Sequence, residues 1–169
     1  IAEPFVDPTF DRTHGGDAVS RRALFLDRDG VINVNHGYVH RAEETQFVDG
    51  IFEMCHAASR RGYLLIVATN QAGIGRGYYS REDFLDYTAW VHAQFRDHGV
   101  PLSATYYCPH HPTEALSAYR VACECRKPRP GMLLAAERKF MIDMSRSVFI
   151  GDTVNDMLAG AKAGVGRLL

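Results

Sequence analysis

Apolar residues along this chain gather into short unbroken runs, separated by longer stretches in which they recur at helical spacing. Residues 23–26 ("ALFL") form the first such run, and its lack of polar alternation predicts a strand covered on both faces. Residues 64–68 ("LLIVA"), 104–108 ("ATYYC") and 147–151 ("SVFIG") repeat the pattern, and 165–169 begins a fifth strand. Between them, Ile51, Cys55 and Ala58 share one helical face before Gly62 stops the helix. Ser80 and Asp83 read as a capping pair for a helix bearing Phe84, Thr88, Val91 and Phe95. Pro130 opens a helix through Phe140, and a last helix spans 153–163 with Gly164 as its stop. Alternating strands and helices predict an α/β fold: a three-layer, Rossmann-like parallel sheet with helices on both faces. No segment is long enough for a large cap domain. The longest irregular stretches are 33–49 and 108–129. Residues 1–21, including the loop-like "THGGD", read as an N-terminal arm, and 22–169 as the folded domain.

Composition narrows the class. A chain of 169 residues, 46% hydrophobic with a net charge of −1, fits one domain with a real core. The near-neutral balance speaks against a nucleic-acid partner. No apolar run approaches the roughly 18 residues of a membrane span, and no basic-then-apolar signal segment opens the chain. Of four cysteines, three cluster between 108 and 125 near histidines, which favours metal over disulfides and a reducing, cytoplasmic setting. Cys55, on a helix face with Ile51, reads as core.

In parallel sheets, ligands bind beyond the carboxyl ends of the strands. Three of these runs deliver polar residues to that rim: Asp27 and Asp29 after the first; Thr69, Asn70 and Gln71 after the second; Asp152 and Asp156 after the fourth. Lys127 precedes the helix leading into the fourth strand. An aspartate after a strand is often only a turn or cap residue, but several arriving on one rim point to chemistry. Clustered carboxylates repel unless a cation sits among them, and hard oxygen ligands suit Mg²⁺. A lysine and a threonine beside that ion suit a phosphoryl group. Residues i and i+2 of a strand share a face, so Asp27 can attack phosphorus while Asp29 protonates the leaving oxygen. Gly30 allows the sharp turn that follows.

Residues 108–125 run C-x-H, twelve residues, then C-x-C. Cys108, His110, Cys123 and Cys125 make a closed tetrahedral set, the structural zinc arrangement, with His111 as the alternative imidazole. Such a zinc-bound insertion pins the loop that leads into Arg126 and Lys127.

"FLDRDG", "VATNQAG", "CRKP" and "GDTVND" resemble, in order, the four motifs of the haloacid dehalogenase superfamily, and the two-aspartate form resembles its phosphatases. That resemblance implies Asp27 as nucleophile, Asp29 as general acid/base, and Thr69 and Lys127 as phosphoryl ligands. It implies Mg²⁺ on Asp27, Asp152 and the Asp29 backbone carbonyl, with Asp156 supporting from behind. The cysteine loop and the stretches 32–50 and 69–80 are similar to a zinc-containing group of small-molecule phosphatases. The implied reaction is removal of the 7-phosphate of D-glycero-D-manno-heptose 1,7-bisphosphate, with histidinol phosphate the alternative substrate. On the same resemblance Asn35, His36, Gly37, Tyr38, Asn70, Gln71, Ala72, Arg126 and Thr153 line the substrate pocket of a cytoplasmic enzyme; a monomer is expected, though not from the resemblance. The chain departs from the common family pattern at Asn35, Ala72 and Thr153, which touches sugar preference rather than the phosphoryl machinery.

Overall fold

The first four apolar runs become the inner strands of one sheet, and the fifth an edge strand. The computed structural model describes residues 3–8 and 20–169. Six strands, β1 (Phe5–Val6), β2 (Arg22–Leu26), β3 (Tyr63–Asn70), β4 (Ala104–Cys108), β5 (Val148–Ile150) and β6 (Arg167–Leu168), lie in the order β1-β4-β3-β2-β5-β6. From β4 to β6 every pairing is parallel. Leu26 stands beside Val67 on one side and Ile150 on the other, and Asn70 stands beside Cys108. This register brings the carboxyl ends of β2 to β5 to one rim.

Five helices cover the sheet: α1 (Ile51–Arg60), α2 (Ala72–Gly75), α3 (Arg81–Asp97), α4 (Gly131–Phe140) and α5 (Val154–Lys162). Strand residues alternate between two cores, as the period of two requires. Ala23, Phe25, Ile66, Ala68 and Tyr106 pack with Met132, Leu133 and Ala136 of α4 and Ala159 of α5. Leu24, Leu26, Leu65 and Val67 pack with Ile51 and Cys55 of α1 and Val91 and Phe95 of α3. The result is the expected three-layer arrangement. Ser80 and Asp83 form a full capping box on α3, and Gly164, at φ +77°, follows α5.

One element departs from the expected pattern. Phe5–Val6 pairs antiparallel with β4, so part of the arm closes the sheet edge. Two residues carry no detectable period. What holds them is tertiary: Phe5 packs edge-on against His92 of α3 with ring centroids 4.7 Å apart, and Asp7 is buried. The "THGGD" segment lies outside the described residues. Among the described residues no helix is long and apolar enough to cross a membrane.

Candidate active site

At the end of β2 the chain turns under two constraints. The Asp27 N–H donates to Ile150 O at 3.0 Å, continuing the ladder, and the Arg28 N–H donates to Asp27 Oδ1 at 2.8 Å. Gly30 then adopts φ +91°, and a Cβ there would stand 2.1 Å from Asp152 Oδ2. Glycine is required twice at this point, for the left-handed turn and for the close approach of Asp152.

Lys127 is buried and neutralised from two sides. Its Nζ lies 2.9 Å from Asp27 Oδ1 and 2.6 Å from Asp156 Oδ1, and donates to Ala68 O at 2.8 Å. Asn70 holds the lysine backbone: its Oδ1 accepts from the Lys127 N–H at 3.0 Å, and its Nδ2 donates to Lys127 O at 3.1 Å. Asp156 completes a capping box with Thr153 at the start of α5. Burial pushes the Asp27 carboxyl up to about 6; neighbouring Lys127 pulls the other way, and Asp156 adds to the rise.

Asp27, Asp152 and Asp156 each offer a carboxylate oxygen within 4.8 Å of the others, so this trio can surround a cation. Asp156 is the least free of the three, since one oxygen faces Lys127 and the other accepts from Thr153 N and Oγ1. It therefore acts as the anchor of the lysine, leaving Asp27 and Asp152 to face an ion.

The Asp29 carboxylate is gripped by Arg28, by Asn33 Nδ2 at 3.0 Å and by Gln71 Nε2 at 3.1 Å. Gln71 also donates to Thr69 Oγ1 at 2.9 Å, and its own oxygen accepts from Tyr79 OH at 2.6 Å. Thr69 and Asp29 are thereby linked through one amide.

Most of these groups open onto a cavity of about 320 Å³. Asp27, Asp29, Thr69, Lys127, Asp152 and Asp156 line it, and so do Asn35, Gly37, Tyr38, Asn70, Gln71, Ala72, Arg126 and Thr153. His36 does not: it is exposed on the outer side of the turn whose neighbours Asn35 and Gly37 reach the cavity. The Thr153 hydroxyl is engaged with Asp156, so its contribution to the cavity wall is not a free hydroxyl. Sequence reasoning missed Arg28, Asn33, Tyr79 and Asn155. For Arg28 there was a signal, a charged residue two positions after a largely buried strand.

Beside the cavity, Cys108, His110, Cys123 and Cys125 converge. Their sulfur atoms are 3.2–3.5 Å apart, and His110 Nδ1 is 3.4 Å from Cys125 Sγ and 3.6 Å from Cys108 Sγ. These separations are close to the edges, about 3.5–3.8 Å, of a tetrahedron with metal–sulfur bonds near 2.3 Å. All four cysteines are free. His111 is turned to Glu114, whose N–H it accepts at 2.9 Å, so His110 is the imidazole of the cluster. The cluster touches the cavity through Arg126, whose Nη1 donates to His110 O at 3.2 Å.

Comparison with known proteins gives the family. A family model described as haloacid dehalogenase-like hydrolase matches residues 8–164. The chain is 50% identical over 148 residues to D-glycero-beta-D-manno-heptose-1,7-bisphosphate 7-phosphatase of Vibrio cholerae serotype O1, covering 88% of this chain and 80% of that one. It is also 50% identical over 151 residues to D-glycero-alpha-D-manno-heptose-1,7-bisphosphate 7-phosphatase of Burkholderia mallei, covering 89% and 80%. The solved D,D-heptose 1,7-bisphosphate phosphatase of B. bronchiseptica, complexed with magnesium and phosphate, superposes with a TM-score of 0.76 at 28% identity, over 86% of this chain and 78% of that one. With its sheet, its rim of carboxylates and these relatives in agreement, the chain belongs to the haloacid dehalogenase-like hydrolases, and it is a phosphatase.

Proposed function

We propose that this phosphatase hydrolyses the 7-phosphate of D-glycero-D-manno-heptose 1,7-bisphosphate through an aspartyl-phosphate. The observation that carries the reading is the convergence of Asp27, Asp29, Thr69, Lys127 and Asp152 on one cavity at the strand ends. Asp27 attacks phosphorus: its bond to phosphorus forms as the bond to the sugar oxygen breaks, and Asp29 delivers a proton to that oxygen. In the second step Asp29 takes a proton from water as the water oxygen bonds to phosphorus and the acyl phosphate breaks. Lys127 and Thr69 hold the phosphoryl oxygens. Asp27, Asp152 and the Asp29 carbonyl would hold magnesium, which would supply positive charge to those oxygens and favour ionised Asp27 against the burial that raises it.

Arg126, beside the cavity mouth, suits the second phosphate of a bisphosphate, because a guanidinium offers a planar fork of donors. Asn35, Gly37 and Tyr38 form the wall that the sugar meets. The Cys108, His110, Cys123 and Cys125 cluster takes zinc and holds Arg126 and Lys127 in place; closed coordination leaves it no catalytic part. Relatives acting on the alpha and the beta anomer are equally similar to the chain, so anomer choice rests on the cavity wall.

Steady-state assays with both anomers of the heptose bisphosphate and with histidinol phosphate test the reading. Turnover of a heptose bisphosphate, with phosphate leaving position 7, is expected to exceed that of histidinol phosphate by at least about tenfold in kcat/KM. Preference for histidinol phosphate would overturn the substrate assignment. Asp27→Asn is expected to abolish phosphate release with the fold intact; more than trace release removes Asp27 as nucleophile.

A further inference from the structure

We infer that Arg28, the residue between the two aspartates, is a positioning residue that holds Asp29 at the angle proton transfer needs and ties it to the sugar-facing wall. This rests on the acid/base reading of Asp29 given above. Arg28 belongs to no phosphoryl-binding set, and its side chain is only 3% exposed. A buried guanidinium is costly unless it is engaged, and its contacts show what engages it. Nε and Nη2 donate to Asp29 Oδ1 at 3.3 and 3.0 Å, and Nη2 also reaches Asp29 Oδ2 at 2.9 Å. The same Nη2 donates to Val39 O at 2.6 Å. Val39 is the buried residue directly after Gly37 and Tyr38, which line the cavity.

The plane of the guanidinium is set as well. Its central carbon sits 5.1 Å from the Tyr87 ring centroid and 5.9 Å from that of Phe84, both on α3. Nη1 is buried and has no hydrogen-bond partner, so the group accepts an unsatisfied donor to keep this placement. On the other side, the backbone N–H of Arg28 donates to Asp27 Oδ1. One residue thus spans both catalytic aspartates, α3 and the wall. Lysine carries the same charge but cannot present two donors in one plane to a carboxylate while reaching a carbonyl.

Single-turnover rates at saturating enzyme test this with Arg28→Lys on two substrates. The heptose bisphosphate has an alkoxide leaving group that needs a proton; p-nitrophenyl phosphate has one that hardly does. Misplacing the proton donor is expected to slow the sugar substrate at least about tenfold more than the aryl substrate, out of the 10²–10⁴ that a general acid supplies. An equal loss on both substrates, no loss, or a rise in KM for the sugar with unchanged single-turnover rates would overturn the positioning role. If Arg28→Lys does not fold, Tyr87→Leu leaves the arginine but removes the ring beneath it. The same selective loss is expected there, and equal loss would again overturn the role. Wild-type enzyme without activity on the heptose bisphosphate would instead sink the functional reading itself.

Discussion

Lys127 Nζ stands 2.6 Å from Asp156 Oδ1 and 2.9 Å from Asp27 Oδ1, so one buried ammonium is shared by two carboxylates, one just past the end of β2 and one in the first turn of α5. Asp156 is itself fixed by the α5 capping box. The helix start therefore aims the lysine, and the lysine faces Asp27. Asp156→Asn keeps the shape but removes one charge of a buried pair. Breaking such a pair costs about 3–5 kcal/mol, so unfolding by denaturant is expected to show a loss of that order, with a fall in kcat. An unchanged midpoint would mean that the pairing contributes nothing.

Gly30 offers a test of the ion site from the backbone side. An alanine there would carry its methyl to 2.1 Å from Asp152 Oδ2, at a φ of +91° that side chains rarely adopt. Asp152 or the turn that carries residue 30 must shift. Displacements of about 1 Å at a catalytic group cost about 10²-fold in rate, so Gly30→Ala is expected to lose at least that in kcat/KM and to need more Mg²⁺ for half-maximal activity. Wild-type Mg²⁺ dependence would contradict Asp152 as a ligand.

The cysteine cluster predicts one zinc per chain by elemental analysis. Cys123→Ser, at the cluster's most exposed cysteine, is expected to lower zinc content and, through Arg126 and Lys127, to reduce activity several-fold without touching a catalytic group. Full activity in protein shown to be free of zinc would remove the cluster from any part in positioning.

His92 gives the fold a pH dependence of its own. Burial holds its imidazole down at about 4, although Asp7, with Oδ2 3.7 Å away, pulls it upward; Arg96 adds to the lowering. Thr105 Oγ1 lies 2.9 Å from Nε2, and the Phe5 ring packs against the imidazole. The unfolded chain takes up a proton near 6.5 that the folded chain refuses until about 4. Stability is therefore complete above 6.5 and falls as pH drops through this window. Between pH 7.5 and pH 5 the loss from this group is about 2 kcal/mol. Denaturation of wild type and His92→Gln at both pH values isolates it. Equal slopes would show that His92 is not the source.

The sequence by itself determined what is local. Unbroken apolar runs specify strands covered on both faces, the Ser80 and Asp83 pair specifies a helix start, and two aspartates around Arg28 at a strand end announce the chemistry. C-x-H and C-x-C announce the cluster of three cysteines and a histidine. Only the tertiary structure decided what distant segments do to one another. Asn70 holds the backbone of Lys127, 57 residues further on. Tyr79 orients Gln71 toward Asp29, and Arg28 turns out to be buried under α3. His36 is exposed and does not line the cavity, although Asn35 and Gly37 on either side of it do. Phe5–Val6 becomes a strand only because β4 offers an open edge and His92 a surface to pack on. Hydrogen bonds between side chains far apart in the chain leave no period in the sequence, since the partner's place is set by the sheet register and by the helices packed upon it.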